Sequence, residues 1–500
     1  MRKPSRDFQT RFDSAKRWRD QMRATIEDVY RFCAPGREKE FGATPPNADP
    51  EAEVYVAIGE EMATDLAGDL VNYFTPPETL WYEIVASVPE DDPFEDEILK
   101  ALIARERDVS DLITRSNYND IAPQILFEAA THGTPAVWVQ KAHLQQPIFF
   151  ETVPPSELLI TPGHLGILDR FRQKQVPSWT LDVLFEGMAG VTLSEQMREK
   201  MKRPDRFSEV IWGFWARWTD PARPTWVMQI TVDGHAVCDE TDLGDLAGAC
   251  PLLVGRFNPQ PNKPWGRGPG IKALPDLRVL NKIEEVVLTG LDSAILNTII
   301  YPDDSTLDLS DGLEAGRAYA AGARFDGRSI FTLPKDTRLD YGWTSEDKLE
   351  GRIRTSFYQD GPRQRGDTPP TAAQWFDERR RVQQRLGKPS APLWTELFFP
   401  MLQRIEHLGT QAGALDPQIS VDGNVISATP ISPLQKAQNH EAVMISRSNL
   451  ELAVAINPEG AGVAVDTAAT LKAIVKASGD KLTVVRDEEK PLAPAAPPQG

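Results

Sequence analysis

The chain has 500 residues, a formal net charge of −18 and 41% hydrophobic residues. That length can bury a large core and would ordinarily form several domains. The acidity argues against a protein that grips DNA phosphates over a broad basic surface.

No apolar run is long enough to cross a bilayer, and the N-terminus lacks the apolar core of a signal peptide, so no secretion is expected. The three cysteines, Cys33, Cys238 and Cys250, are scattered, which suits a reducing cytoplasm. No Cys/His spacing suggests a zinc site.

Phe8–Phe32 reads as a helix with apolar residues at Phe12, Trp18, Met22, Ile26, Val29 and Tyr30. The Pro/Gly-rich loop Ala34–Pro50 follows. Glu60–Phe74 is a second amphipathic helix, closed by Thr75-Pro76-Pro77. Trp81–Val85 alternates like a strand, and Glu95–Arg115 and Asn119–Thr131 are helical. Strand signals then dominate at Ala136–Val139, Pro147–Val153, Val210–Trp218 and Thr225–Val232. Trp212, Trp215, Trp218 and Trp226 fall in this stretch. A packed α+β core is the preferred reading, because basic residues do not interleave densely enough for a base-stacking platform.

Arg256–Ile300 carries the most information. A loop with Gly266, Gly268 and Gly270 enters a helix over Leu274–Ile300, about 40 Å long at ~1.5 Å per residue. Pro275 reads as lying near the helix start, where its missing N–H is harmless. Leu277, Leu280, Ile283, Val287, Leu291, Ile295 and Ile299 form one face. Val279, Val286, Leu288, Leu296 and Ile300 widen it, so packing on several sides is expected. Tyr301–Pro334 breaks the pattern, with strand-like pieces at Ala318–Arg324 and Ser329–Leu333. Ser345–Tyr358 is helical again, with Leu349, Ile353 and Phe357 on one face. Asp360–Pro370 is a loop containing Arg363 and Arg365. Thr371–Leu386 is a helix whose Arg379, Arg380 and Arg381 point in different directions, which suits intersubunit ion pairs. Ile419–Ile426 reads as a strand, Pro433–Ile456 and Val463–Ala477 as helices, and Asp487–Gly500 as a disordered tail.

No catalytic constellation emerges. Gly266–Gly270 lacks the Lys-Ser/Thr of a phosphate-binding loop, and no Gly-x-Ser-x-Gly elbow is present. Glu60-Glu61 and His440-Glu441 do not make an acid–base pair. Asp303, Asp304, Asp308 and Asp311 lack the glycine and closing glutamate of a Ca²⁺ loop. The expectation is a protein without catalytic, cofactor or metal residues, not an enzyme.

Several motifs, kept in order, resemble the portal, or head-to-tail connector, family of short-tailed, podovirus-type bacteriophages. The signature is Trp265-Gly266-Arg267-Gly268-Pro269, then Leu274-Pro275-Asp276-Leu277 and Leu280-Asn281. Leu66–Leu70 with Phe74–Pro77 and Trp81-Tyr82, then Phe127–Thr134, Thr371–Gln374, Arg379–Leu386 and Glu396–Pro400, match other segments. The late helix departs from the pattern, opening with Pro369-Pro370 and carrying Gln374 where an acid is common.

The resemblance implies an α+β portal-type fold with a mixed α/β wing, long stem helices, a small α/β clip and a helical C-terminal crown. In these terms residues 1–273 are the wing, 274–300 the first stem helix and 301–344 the clip. Residues 345–359 are the second stem helix, 360–370 a tunnel loop and 371–432 a wing helix and strand. Residues 433–486 form the crown-like region and 487–500 the tail. It further implies a ring of about twelve copies at one capsid vertex, conducting double-stranded DNA; Arg363 and Arg365 are then candidate DNA contacts of the tunnel loop, the alternative being a surface loop with two solvated arginines. Implied partners are the major capsid and scaffolding proteins, the terminase large subunit and a tail adaptor, with no cofactor and no membrane. A DNA-processing enzyme or its regulatory subunit is the alternative from another class. A different head-completion or tail ring component is a third, although such adaptors are usually much shorter.

Overall fold

The computed structural model describes residues 2–37, 54–77, 80–86, 95–141, 148–163, 166–185, 188, 190–220, 223–244, 247–295, 299–300, 331–332, 340–359, 372–415, 426–430 and 446. In chain order the elements are α1 (Arg6–Cys33), α2 (Ile58–Phe74), β1 (Tyr82–Ala86), α3 (Glu95–Thr114) and α4 (Tyr118–Thr131). Then come β2 (Ala136–Lys141), β3 (Ile148–Thr152), β4 (Leu158–Gly163), β5 (Gly166–Pro177), α5 (Leu181–Leu184), α6 (Glu195–Met201), β6 (Phe207–Asp220), β7 (Arg223–Val232), β8 (His235–Ala236), β9 (Thr241–Gly244) and β10 (Leu252–Val254). The rest are α7 (Pro269–Ile295), β11 (Ile299–Ile300), β12 (Phe331–Thr332), α8 (Asp340–Ser356), α9 (Ala372–Leu393), α10 (Phe399–Gln411) and β13 (Ile426–Pro430). The class is α+β. The chain divides into two compact units, one of 1–68, 123–140 and 150–404, the other of 69–122, 141–149 and 405–500.

In the first unit an antiparallel sheet runs β4-β5-β6-β7-β8, with β9 also on β7. Alternation along β6 sends Val210, Trp212 and Phe214 into one core and Ile211 and Trp215 into another. The tryptophans of this stretch therefore do not form one cluster. Trp212 and Trp215 are buried on opposite faces, and Trp218 stays exposed. On the Trp215 side the sheet meets α1 through Phe8, Phe12 and Ala15. Gly213 makes room for that helix: a Cβ there would stand 2.6 Å from both Phe8 and Phe171. Helix α1 starts at an N-cap, where Ser5 Oγ accepts the Phe8 N–H at 3.1 Å. On the other side a smaller sheet, ordered β10-β2-β3, adds Trp138, Leu252 and Val254 to the core around Trp212.

β5 was not legible as a strand because its inward residues include charges. Arg172 is buried, and Glu151 takes two of its N–H groups at 2.6 and 2.9 Å while Glu157 takes the third at 2.9 Å. Its guanidinium also lies 5.4 Å from the Trp138 ring.

The long helix differs from expectation at both ends. It starts five residues before Leu274, with the first turn bond from Lys272 N–H to Gly268 C=O at 3.2 Å. Gly268 is thus the N-cap, and the harmless first-turn proline is Pro269. Pro275 lies inside the helix, where it removes the bond to the Ile271 carbonyl. The helix stops at Ile295, and Ile299–Ile300 are extended, paired with Phe331–Thr332. That pairing places a strand inside the expected Ser329–Leu333 piece. Nor is the helix enclosed on all sides: Leu277 and Leu280 are fully buried, but Val279 and Val286 are 50% and 58% exposed. Helix α8 starts at Asp340, ahead of the expected Ser345, and buries Leu349, Ile353 and Phe357 as their spacing requires. It packs on α7, with an Arg352–Asp276 ion pair at 2.7 Å.

Helix α9 runs past the expected end at Leu386 to Leu393, and a π-turn over Trp394–Phe398 links it to α10. In the second unit β1 pairs antiparallel with β13, which begins at Ile426, where the expected strand ended. Buried Glu106 of α3 accepts the Ile84 N–H at 2.9 Å, so a carboxylate ties that helix to β1. Gly409 of α10 lies against Leu112 and Leu415. The piece Ala318–Arg324, the Asp303–Asp311 carboxylates, the loop 360–370, the helices Pro433–Ile456 and Val463–Ala477 and the tail 487–500 lie outside the described residues, as does His440-Glu441.

Candidate functional site

Two segments that stand far apart in sequence, His132–Thr134 and Arg256–Pro269, clasp each other at the root of α7. Gly133 ends α4 with φ +86°, a conformation that side chains resist. Its carbonyl accepts the Phe257 N–H at 2.8 Å, and the Phe257 carbonyl accepts the Arg267 N–H at 2.8 Å. Thr134 Oγ1 accepts the Gly266 N–H at 2.9 Å. The backbones approach so closely that side chains are excluded. A Cβ on Gly266 would stand 2.0 Å from the Gly133 oxygen, and one on Gly268 2.4 Å from the Thr131 oxygen. The signature glycines are therefore explained by backbone-to-backbone packing, not by a phosphate.

A buried polar cluster underlies the clasp. Glu128 on α4 and His132 just past its end, four residues apart, are 2.9 Å apart through Oε2 and Nε2. The Tyr30 hydroxyl donates to the same Glu128 oxygen, and Arg37 reaches the other at 2.8 Å. His132 Nδ1 accepts the Thr134 N–H at 3.2 Å. Since Nδ1 accepts, a neutral ring carries its proton on Nε2 and donates to Glu128. Burial opposes the charge on Glu128. The hydrogen bond from His132, the charge that ring carries when protonated, the charge of Arg37 and the hydrogen bond from Tyr30 nevertheless hold its carboxyl down to about 2. The Trp265 ring meets the His132 ring edge-on, 6.3 Å between centroids.

The remaining signature residues are structural anchors of α7. Leu274 is buried. Asp276 pairs with Arg352. Asn281 Oδ1 accepts the Tyr55 N–H at 2.8 Å, fixing the chain that leads into α2. Arg267 turns its side chain to solvent. Arg363 and Arg365 lie outside the described residues. Sequence reasoning missed Tyr30, Arg37, Glu128 and His132. The available signal was the Glu128-x-x-x-His132 spacing immediately before Gly133-Thr134.

The arrangement ties the end of α4 and the signature loop to the start of α7 through backbone hydrogen bonds and close backbone approach. A model of the family described as bacteriophage head to tail connecting protein matches residues 5–484, and the chain belongs to that family. Its place is the virion, where head and tail join. Among solved structures the chain is similar to one from the virion of a native gene transfer agent (GTA) particle. Identity is 11%, coverage 84% of this chain and 87% of that one, and the TM-score 0.36. A second is from the neck of an empty GTA particle computed with C6 symmetry, at 13% identity, 78% and 86% coverage and TM-score 0.34. No curated protein matches.

Proposed function

We propose that the chain is the portal subunit of its virion: a ring-forming protein that passes double-stranded DNA during packaging and ejection. In this reading α7 and α8 are the stem and the segment between them holds the clip. The clip docks the terminase large subunit and later a tail adaptor, the outer surfaces meet capsid and scaffolding proteins, and the chain itself catalyses nothing. The observation that carries the reading is the open face of α7. In a family of head-to-tail connectors, a long helix rooted in a rigid clasp leaves Val279 and Val286 half exposed, one heptad apart. In a closed ring each copy needs two different faces for its neighbours, and this stripe supplies apolar area for one of them.

Mass measurement and negative-stain imaging of the purified chain test it. Closed rings of about twelve copies, or a neighbouring number, are expected. Persistent monomers at high concentration, or ATP hydrolysis lost on a point substitution in this chain, would overturn it. Arg363 and Arg365 are proposed as salt-sensitive phosphate contacts of the channel. Particles carrying Arg363→Ala and Arg365→Ala should retain less DNA as ionic strength rises. Full-length, stably held genomes at every salt concentration would reduce this loop to a connector.

A further inference from the structure

The cluster beneath the clasp has a property that static support does not require. Its single imidazole is a donor at one nitrogen and an acceptor at the other, and each bond leads to a different part of the fold. Nε2 faces the Glu128 carboxylate, in the body of α4. Nδ1 faces the Thr134 N–H, on the far side of Gly133 with its positive φ. A proton from solvent added to Nδ1 makes both nitrogens donors. The Thr134 N–H then has no acceptor on the ring and meets a like-polarised N–H. The Nε2 bond becomes a charge-assisted pairing with Glu128.

The surroundings define which groups feel that proton. Facing the ring are Glu128 on α4, Tyr30 on α1 and the Trp265 edge from the signature loop, and the Arg37 guanidinium just after α1 stands on the other oxygen of Glu128. Glu128 favours the added charge, while Arg37, which shares that carboxylate, opposes it. Thr134 also holds Gly266 through its hydroxyl, and Gly268 N–H reaches the His132 carbonyl at a long 3.3 Å. Displacing Thr134 therefore acts directly on the N-cap of α7.

We propose that His132 is a proton-operated latch: on taking up a proton it exchanges its hold on Thr134 for a firmer pairing with Glu128, loosening the clasp that sets the start of α7. The change needs no other co-reactant and breaks no covalent bond. Its consequence is local. The sheet and its two cores keep their packing while the junction at 133–134 and 266–268 opens.

Amide hydrogen exchange of the full chain tests this, compared at about pH 8 and about pH 5.5. After correction for intrinsic exchange, protection at Thr134, Gly266 and Gly268 should fall about tenfold at the lower pH, the worth of one lost hydrogen bond. Protection along β6 and β7 should not change. His132→Gln keeps an acceptor and a donor but does not titrate, so its protection at the same three amides should be equal at both pH values. Flat protection in the unmodified chain, or an equal fall in His132→Gln, would overturn the latch. Imidazole ¹⁵N shifts of the unmodified chain give a second measurement that does not depend on the variant folding. The Nε2–H tautomer is expected at the higher pH. An Nδ1–H tautomer, or one unchanged protonation state at both pH values, would also overturn it.

Discussion

Arg256 and Glu396, 140 residues apart, hold each other in a bidentate pair. Arg256 Nε stands 2.9 and 3.2 Å from the two carboxylate oxygens, and its terminal nitrogen also meets the carboxylate. The pair joins the start of the signature loop to the π-turn between α9 and α10. It is mostly shielded from water, with 10% and 22% of the two side chains exposed. Arg256 also donates to the Lys263 carbonyl at 3.2 Å, bracing the loop from within.

Removing either partner leaves the other buried without its counter-charge. Arg256→Ala or Glu396→Ala should each cost about 3 kcal/mol of stability. Arg256→Lys should recover only part, because an ammonium cannot make the two-point contact. Urea unfolding of the two single variants and the double variant measures the coupling. A double variant as destabilised as the sum of the singles would show that the pair contributes nothing of its own.

Glycine substitutions should separate the clasp from ordinary helix positions. Gly266→Ala and Gly268→Ala drive a methyl group into backbone oxygens 2.0 and 2.4 Å away, which cannot move without opening the clasp. Each should lower the melting temperature strongly or prevent folding. Gly68→Ala, on α2 and with nothing within 4 Å of the new atom, should instead stabilise by about 1 kcal/mol through helix propensity. Circular dichroism melts of the three variants decide the matter. A mild effect at Gly266 would mean that the close approach is not required.

Much of this was legible before the fold was known, and the failures have physical causes. Helix α8 was readable because Leu349, Ile353 and Phe357 mark one face with little else apolar nearby. The signature glycines were readable as special backbone, but not what they touch, since Gly133 lies in a different motif. Strand β5 was hidden by Arg172 and Asp169, charges that are buried only because their partners come from elsewhere in the chain. The start of α7 was misplaced because two prolines compete for the first-turn role, and local sequence does not say which one follows the N-cap. The Tyr30–Glu128–His132 cluster was missed because its members look like ordinary amphipathic-helix residues until α1 and α4 are packed together.

Acid should weaken the fold through two carboxylates. Glu128 is held down to about 2 by the partners described above. For Glu151 burial opposes the charge, but Arg172 and Lys174 hold its carboxyl down to about 2 as well. Both values are depressed relative to an unfolded glutamate, at ~4.3. Their contribution is therefore complete above that value and is lost as pH falls from ~4.3 towards about 2. Melting temperature should drop across this window. In Glu128→Gln it should start lower and fall less steeply. Equal acid slopes in the two proteins would show that Glu128 does not link protons to folding.

Pro275 is the residue that breaks a local rule within the signature. At this depth in α7 it deletes the hydrogen bond to Ile271 and sets its ring against that carbonyl. Its side is open to solvent, and the next residue, Asp276, carries the ion pair to Arg352. A rule broken without local gain points to a requirement beyond the stability of the single chain. Pro275→Ala should restore the missing bond and raise stability by about 1–3 kcal/mol. Pro269→Ala, at the first helical position where no N–H bond is lost, should change it little. If Pro275 sets the direction of α7 for assembly, the more stable Pro275→Ala chain should form fewer closed rings than the unmodified one, while Pro269→Ala rings form normally. Thermal melts and mass measurement on the same samples read both effects. A Pro275→Ala chain that is more stable and assembles as well as the original would show that this proline serves neither purpose.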